Sequence, residues 1–388
     1  MSTNIGLCDT MRRECRRLVS RKVYIFAMVL VPVISALFFL TLQSEGLPLK
    51  APTSVIDMDH SRLSHNFVRS MQANELVNIT SESLSFHDAM DKLQRGEIFG
   101  FYVIPQNFEK DVIGGRDCTL SYYTNITFYV PGSLVLNGFT RMSVTENGEI
   151  ASGKLASKGI SDRLTTVLLN PVDVQVNTIG NPWLNYSVYL SNSFIPCLLQ
   201  LMIMLMTVFS VVSEIKHGTS PEWMRTARGS LLIALLGKFI PQTILFTAVG
   251  YLIDAMLYGY WQFPVGHLGN MLIAMPLFVI ASQSLGLIFV SAVPNPRLAL
   301  SMASLIGILA FSVAGFSYPV ASMYGAIGIF SYILPIRWYF LIYIDQALNG
   351  IPLYFSRLYY AALLVFPLVV PAVAWHLRRA LLRPVYVP

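Results

Sequence analysis

A few residue patterns in this 388-residue chain have the types that could do chemistry, and each lacks a part that the chemistry needs. Gly148-Glu-Ile-Ala-Ser-Gly153-Lys154 has the glycine and lysine spacing of a loop that cradles phosphate. Leu155 stands where a serine or threonine would hold magnesium, and no apolar strand precedes the run. The six histidines are scattered, with no H-E-x-x-H and no paired His/Cys spacing. His60 and His65 beside Asp57 and Asp59 read as a solvated turn, not a metal site. A G-x-S-x-G nucleophile elbow is also missing. With no nucleotide loop of its own, uphill work by this chain would need an ion gradient or a partner.

Two charges fall within apolar runs, where burial is costly. Lys238 is expected to snorkel toward one membrane face, and Asp254 lies near the other end of the same run. A proton relay built on the two is disfavoured. Hydroxyl and amide groups also lie in apolar runs, and Gln200, Gln242, Ser282, Gln283 and Ser301 are candidates to line a pathway. Equally, such groups serve as helix–helix contacts.

The elements that must carry these residues are long apolar runs. A hydrocarbon core about 30 Å thick needs about 20 apolar residues in a helix, and the uncharged run Val23–Leu42 meets that length. Composition agrees: 54% of residues are hydrophobic and 12% charged, against about 25% charged in soluble domains. The net charge of +6 is concentrated beside the runs. It therefore reads as orientation in a membrane and not as a nucleic-acid surface.

Further spans are expected near 186–212, 230–257, 268–292, 298–317 and 358–377, six in all with the first. Arg12, Arg13, Arg16, Arg17, Arg21 and Lys22 before the first span, and Arg378, Arg379 and Arg383 after the last, put both termini in the cytoplasm. Residues 1–22 then form an amphipathic helix on the inner surface, with its arginines toward anionic lipid. Segment 318–350, broken by Pro319, Gly325, Gly328 and Pro335, is expected to be a re-entrant hairpin dipping into the outer leaflet. Of the four cysteines only Cys118 falls in the polar region, so no disulfide framework is expected.

Residues 43–185 form the polar region, held extracytoplasmic by this topology. Strand patterns at Thr53–Met58, Leu76–Thr80, Ile98–Ile104 and Thr119–Tyr123 alternate with helical spacing. Ser85 is placed to cap a helix that Gly96 ends. A long helical stretch follows, then a last strand at Val172–Ile179. The fold class expected is an α-helical integral membrane protein of six spans with an inserted α/β domain.

Several segments together resemble the permeases of ATP-binding-cassette (ABC) transporters of the type 2 exporter class, in the subgroup with a large external domain between the first two spans. They are the basic helix before the first span, Val55-Ile-Asp-Met-Asp59, Asp88-Ala-Met-Asp-Lys-Leu-Gln-Arg-Gly96 and Gly100-Phe-Tyr-Val-Ile-Pro105 with Phe108. Asn181-Pro182, Phe194-Ile-Pro196, Glu214-Ile-Lys-His-Gly218-Thr219 and Leu334-Pro335 complete the set. The Glu214–Thr219 segment is similar to the family's E-x-x-x-G-T signature. Pro221-Glu-Trp-Met-Arg-Thr226 departs from what usually follows it.

The resemblance implies a non-enzymatic transport subunit in a bacterial inner membrane, paired with a second copy or a paralogue. A cytoplasmic ABC ATPase dimer would hold ATP and magnesium, and this chain would hold no cofactor. It further implies an ATPase-coupling loop at 213–229 with Glu214, Gly218, Thr219, Trp223, Arg225 and Arg228. Glu214 and the arginines would meet the partner's charges, and Trp223 would anchor it. The cargo would be a small amphiphile, drug, lipid or glycan, and a periplasmic adaptor could dock on the external domain. Two other classes fit the spans: a membrane receptor or scaffold sensing a ligand through the α/β domain, and an ion-coupled secondary transporter.

Overall fold

The computed structural model describes residues 6–44, 46, 50–127, 129–157, 180–181 and 185–382. The chain divides into two compact units, Leu47–Val176 and the remainder.

The larger unit opens with α1 (Leu7–Ser20) and α2 (Lys22–Leu42). Arg21 is extended and breaks α1 from α2. Pro32 has no N–H to donate and its ring crowds the carbonyl one turn earlier. The turn before it widens to π geometry over Phe26–Leu30, where the Val31 N–H reaches back to the Phe26 carbonyl.

The smaller unit is an α/β domain. Its elements are β1 (Ala51–Asp57), α3 (Arg62–Ala73), β2 (Val77–Glu82), α4 (Phe86–Arg95), β3 (Gly100–Ile104), α5 (Phe108–Gly114), β4 (Ser121–Thr124) and α6 (Tyr129–Ser157). The sheet order is β2-β1-β3-β4, parallel except for β4. Val55, Tyr102 and Ile104 bury one sheet face with Phe67, Met71 and Phe108, while Ile56 and Phe101 bury the other with Ala89 and Leu93. Two-sided burial is why the IFGFYVI run is continuously apolar instead of alternating. Ser85 Oγ accepts from the Asp88 N–H at 3.2 Å, and Gly96 closes α4 at φ +75°. The acids at the end of β1 are both engaged locally. Asp57 accepts from the Ser64 hydroxyl at 2.6 Å, and Asp59 from the Glu109 N–H at 3.0 Å. No cluster of metal-binding side chains occurs among the described residues. The strand expected at Val172–Ile179 lies outside them.

The larger unit continues with α7 (Tyr186–Lys216), α8 (Ser220–Thr226), α9 (Leu231–Tyr260), α10 (Leu268–Ala292) and α11 (Pro296–Val313). After α12 (Gly325–Ser331) and α13 (Pro335–Leu348) it ends in α14 (Leu353–Leu382). Among the described residues six helices are long and apolar enough to cross a membrane: α2, α7, α9, α10, α11 and α14. Their bounds lie within a few residues of the hydropathic runs. Helix α7 is buried over most of its length. Gly286 of α10 and Gly307 of α11 let their backbones close on it: a Cβ at 286 would lie 3.1 Å from the Met204 carbonyl, and one at 307 would lie 2.4 Å from Leu201.

Segment 318–350 is a bent pair, α12 and α13 meeting at 77°. Leu334 is extended, as the residue before a proline prefers, and Pro335 starts α13 where its missing N–H costs nothing. Gln200 of α7 accepts from the next free donor, the Ile336 N–H, at 2.7 Å.

Candidate functional site

Five charged residues of α1, α7 and α9 converge at one end of the bundle: Arg13, Glu14, Arg17, Glu214 and Lys238. Helix α1 turns a stripe of Thr10, Glu14 and Leu18 inward. This spacing of four residues puts all three on one face. The inward face lies on α9 because Gly237 has no side chain: a Cβ there would stand 2.5 Å from Thr10 Cβ. That contact carries Glu14, 1% exposed, up to Lys238 and Gln242. Lys238 Nζ stands 2.8 Å from Glu14 Oε2, and Gln242 Nε2 donates to Glu14 Oε1 at 2.8 Å.

Glu214 ends the apolar part of α7 and is fully buried. Arg13 grips it with both terminal nitrogens, Nη1 at 2.6 Å and Nη2 at 3.0 Å. Arg17 pairs with the same carboxylate, and Lys238 Nζ reaches it at 3.1 Å. Thr219 donates its hydroxyl to Glu214 Oε2, and its N–H to the Glu214 carbonyl at 2.9 Å. That return is made by Gly218 at φ +66°, a backbone state that favours glycine. Lys238 also lies over the Trp223 ring at 4.7 Å, and Ser220 ties α8 to α14 by donating to the Leu381 carbonyl at 2.8 Å.

Three cations thus surround two carboxylates in a largely dry site. Taking such charges from water costs several kcal/mol per ion, so each must be met by good geometry. The bidentate Arg13–Glu214 pair is the strongest form of that compensation. Burial lowers the pKa of Arg13, opposed by Glu222 and Glu14, and burial likewise lowers that of Arg17. Guanidinium starts so high that both remain charged at neutral pH.

The expected residues therefore fall into distinct places. Arg13 and Arg17 face Glu214, whereas Arg12 and Arg16 are exposed. Lys238 does not snorkel: it is fully buried and paired, since Glu14 and Glu214 offer it more than the membrane face would. Glu214 and Trp223 are spent inside the chain instead of facing a partner, while Gly218, Arg225 and Arg228 are exposed. The five candidate pathway residues do not share one lining. Gln242 belongs to the ion cluster, Gln200 holds α13, and Ser282 donates to its own helix. Gln283 accepts from Thr243 at 2.6 Å, and Ser301 is exposed.

The model of the ABC-2 family transporter protein matches residues 22–376. The chain belongs to the ABC-2 transporter family. It is accordingly a multi-pass membrane transport component of the permease kind, and family membership implies an ABC ATPase as its partner. A comparison with curated proteins gave no match. The matched range includes Glu214, Trp223 and Lys238 of the ion cluster, while α1, which supplies Arg13, Glu14 and Arg17, precedes it. Glu14 was missed in the sequence. Its signal was there: an acidic residue on the same stripe as Thr10 and Leu18, the side an amphipathic helix normally keeps apolar.

Proposed function

We propose that this ABC-2 permease is the membrane subunit of an ATP-driven exporter, with the ion cluster joining ATPase movement to the bundle. Both termini and α8 lie in the cytoplasm in this reading, and the α/β unit lies in the periplasm of a bacterial inner-membrane protein. The bent pair α12–α13 is a re-entrant hairpin in the outer leaflet. Two such subunits, identical or paralogous, form the pathway for an amphiphile, drug, lipid or glycan. ATP and magnesium are held by the partner. The external unit receives cargo or docks an adaptor.

One observation carries this reading: a single carboxylate, Glu214, is shared by α1, α8, α9 and α7 itself. Helix α8 is short, exposed along Glu222 and Arg225, and fixed at its start by Thr219 and at its body by the buried Trp223. A push on its exposed side reaches α7 through Glu214 and α9 through Lys238. Arg225 and Arg228 offer the cationic outer surface for an ATPase groove.

Isolation of the tagged chain from its native membrane in mild detergent tests the proposal. A stoichiometric ATPase should co-purify, and Arg225→Glu with Arg228→Glu should release it. A folded, intact chain that brings no ATPase would refute the reading.

A further inference from the structure

A groove of about 620 Å³ runs between α9, α10 and α14. That volume is within the range of small-molecule sites. Leu235, Phe239, Leu287 and Ala374 form its walls with Pro367 and Pro371. Leu232, Leu236, Ile244 and Trp375 edge it and are exposed, so the groove opens sideways.

Its two ends are polar. Arg378 lines one end and is exposed. At the other, Gln283 is 4% exposed and accepts from Thr243, yet its Nε2 is buried with no partner among the described residues. An amide donor left this way is costly, and a ligand atom or a water that follows the ligand in would relieve the cost. From Leu231 to Thr243 the trough spans roughly 18 Å at the helical rise, close to the ~15 Å of one hydrocarbon leaflet.

We infer that this groove binds an anionic membrane lipid, its headgroup phosphate against Arg378 and one acyl chain laid along the trough toward Gln283. Arginine suits phosphate because its planar fork matches the oxygens. A second copy of this chain is the poorer occupant. The six spans carry two carboxylates, Glu214 and Asp254, and both are buried, so a facing span has no exposed acid for Arg378. The site is on the flank of the bundle, separate from the ion cluster, and does not depend on the exporter reading.

Trp375 at the rim provides the test. The full chain is placed in phosphatidylcholine nanodiscs containing brominated phosphatidylglycerol or, at equal bromine content, brominated phosphatidylcholine. The Trp375 signal is the difference between wild type and Trp375→Phe. Phosphatidylglycerol should quench it at about five-fold lower mole fraction, the worth of one basic side chain near an anionic surface. Arg378→Gln, an exposed change, should abolish that preference. Equal quenching by the two lipids, or a preference that survives Arg378→Gln, would overturn the inference. Quenching by neither would show the groove covered by protein and overturn it as well.

Discussion

Arg13 holds both oxygens of Glu214, a residue 201 positions later, at 2.6 and 3.0 Å. Helix α1 is thereby bound to the end of the most buried span by a charge pair instead of by apolar contact alone. Removing one partner leaves the others uncompensated. Glu214→Ala strands Arg13 and Arg17 around an empty position and leaves Lys238 with Glu14 alone, and should cost about 3–5 kcal/mol. Thermal unfolding in detergent would show it, with Glu214→Gln milder because the amide keeps an acceptor for Arg13.

Gly237 sets how closely α1 approaches α9. Gly237→Ala puts a methyl 2.5 Å from Thr10 Cβ, and overpacking of this kind costs about 1–3 kcal/mol. The variant should melt earlier, and Thr10→Gly should restore part of the loss. A Gly237→Ala protein with unchanged melting would show that α1 is not seated there.

Gln200 fixes the bent pair. Gln200→Leu leaves the Ile336 N–H buried and unpaired, at a cost of about 1–3 kcal/mol. Hydrogen exchange should rise at the start of α13 and not in α10.

Asp59 gives the α/β unit an acid-sensitive joint. The Ser61 hydroxyl, and after it the Glu109, Phe108 and Asn107 amides, hold its carboxyl below the ordinary aspartate value. A depressed folded-state pKa contributes stability above the unfolded value near 3.9, and that stability is lost as pH falls through the folded one. Protection of the amides at the start of α5, taken relative to their intrinsic exchange rate at each pH, should fall below about pH 4. Asp59→Asn should show lower protection already at neutral pH and a flatter acid response.

Much of the architecture was legible because each signal is local. The run Val23–Leu42 is long enough by itself to cross a membrane, and Ser85 and Gly96 mark their helix by capping chemistry within a few residues. The ion cluster was not legible in that way. Glu14, Glu214 and Lys238 are far apart in the chain, and read singly Lys238 looks like a snorkelling residue and Glu214 like a loop acid. The close packing of α1 on α9 at Gly237 makes the three neighbours. The bent pair was readable from four breakers in one short segment, Pro319, Gly325, Gly328 and Pro335, whereas single prolines such as Pro196, Pro241 and Pro276 lie inside unbroken helices.

The exporter proposal turns on whether Glu214 transmits the ATPase's movement, and a distance measurement tests that without a known cargo. Spin labels go on Cys15, which is exposed, and on Tyr324→Cys before α12, with Cys8 and Cys118 changed to serine. In the complex with its ATPase, ATP binding should shift the label-to-label distance distribution. Glu214→Gln should remove the shift while the ATPase stays bound and hydrolyses ATP. An undiminished shift in Glu214→Gln would contradict the coupling role of the cluster.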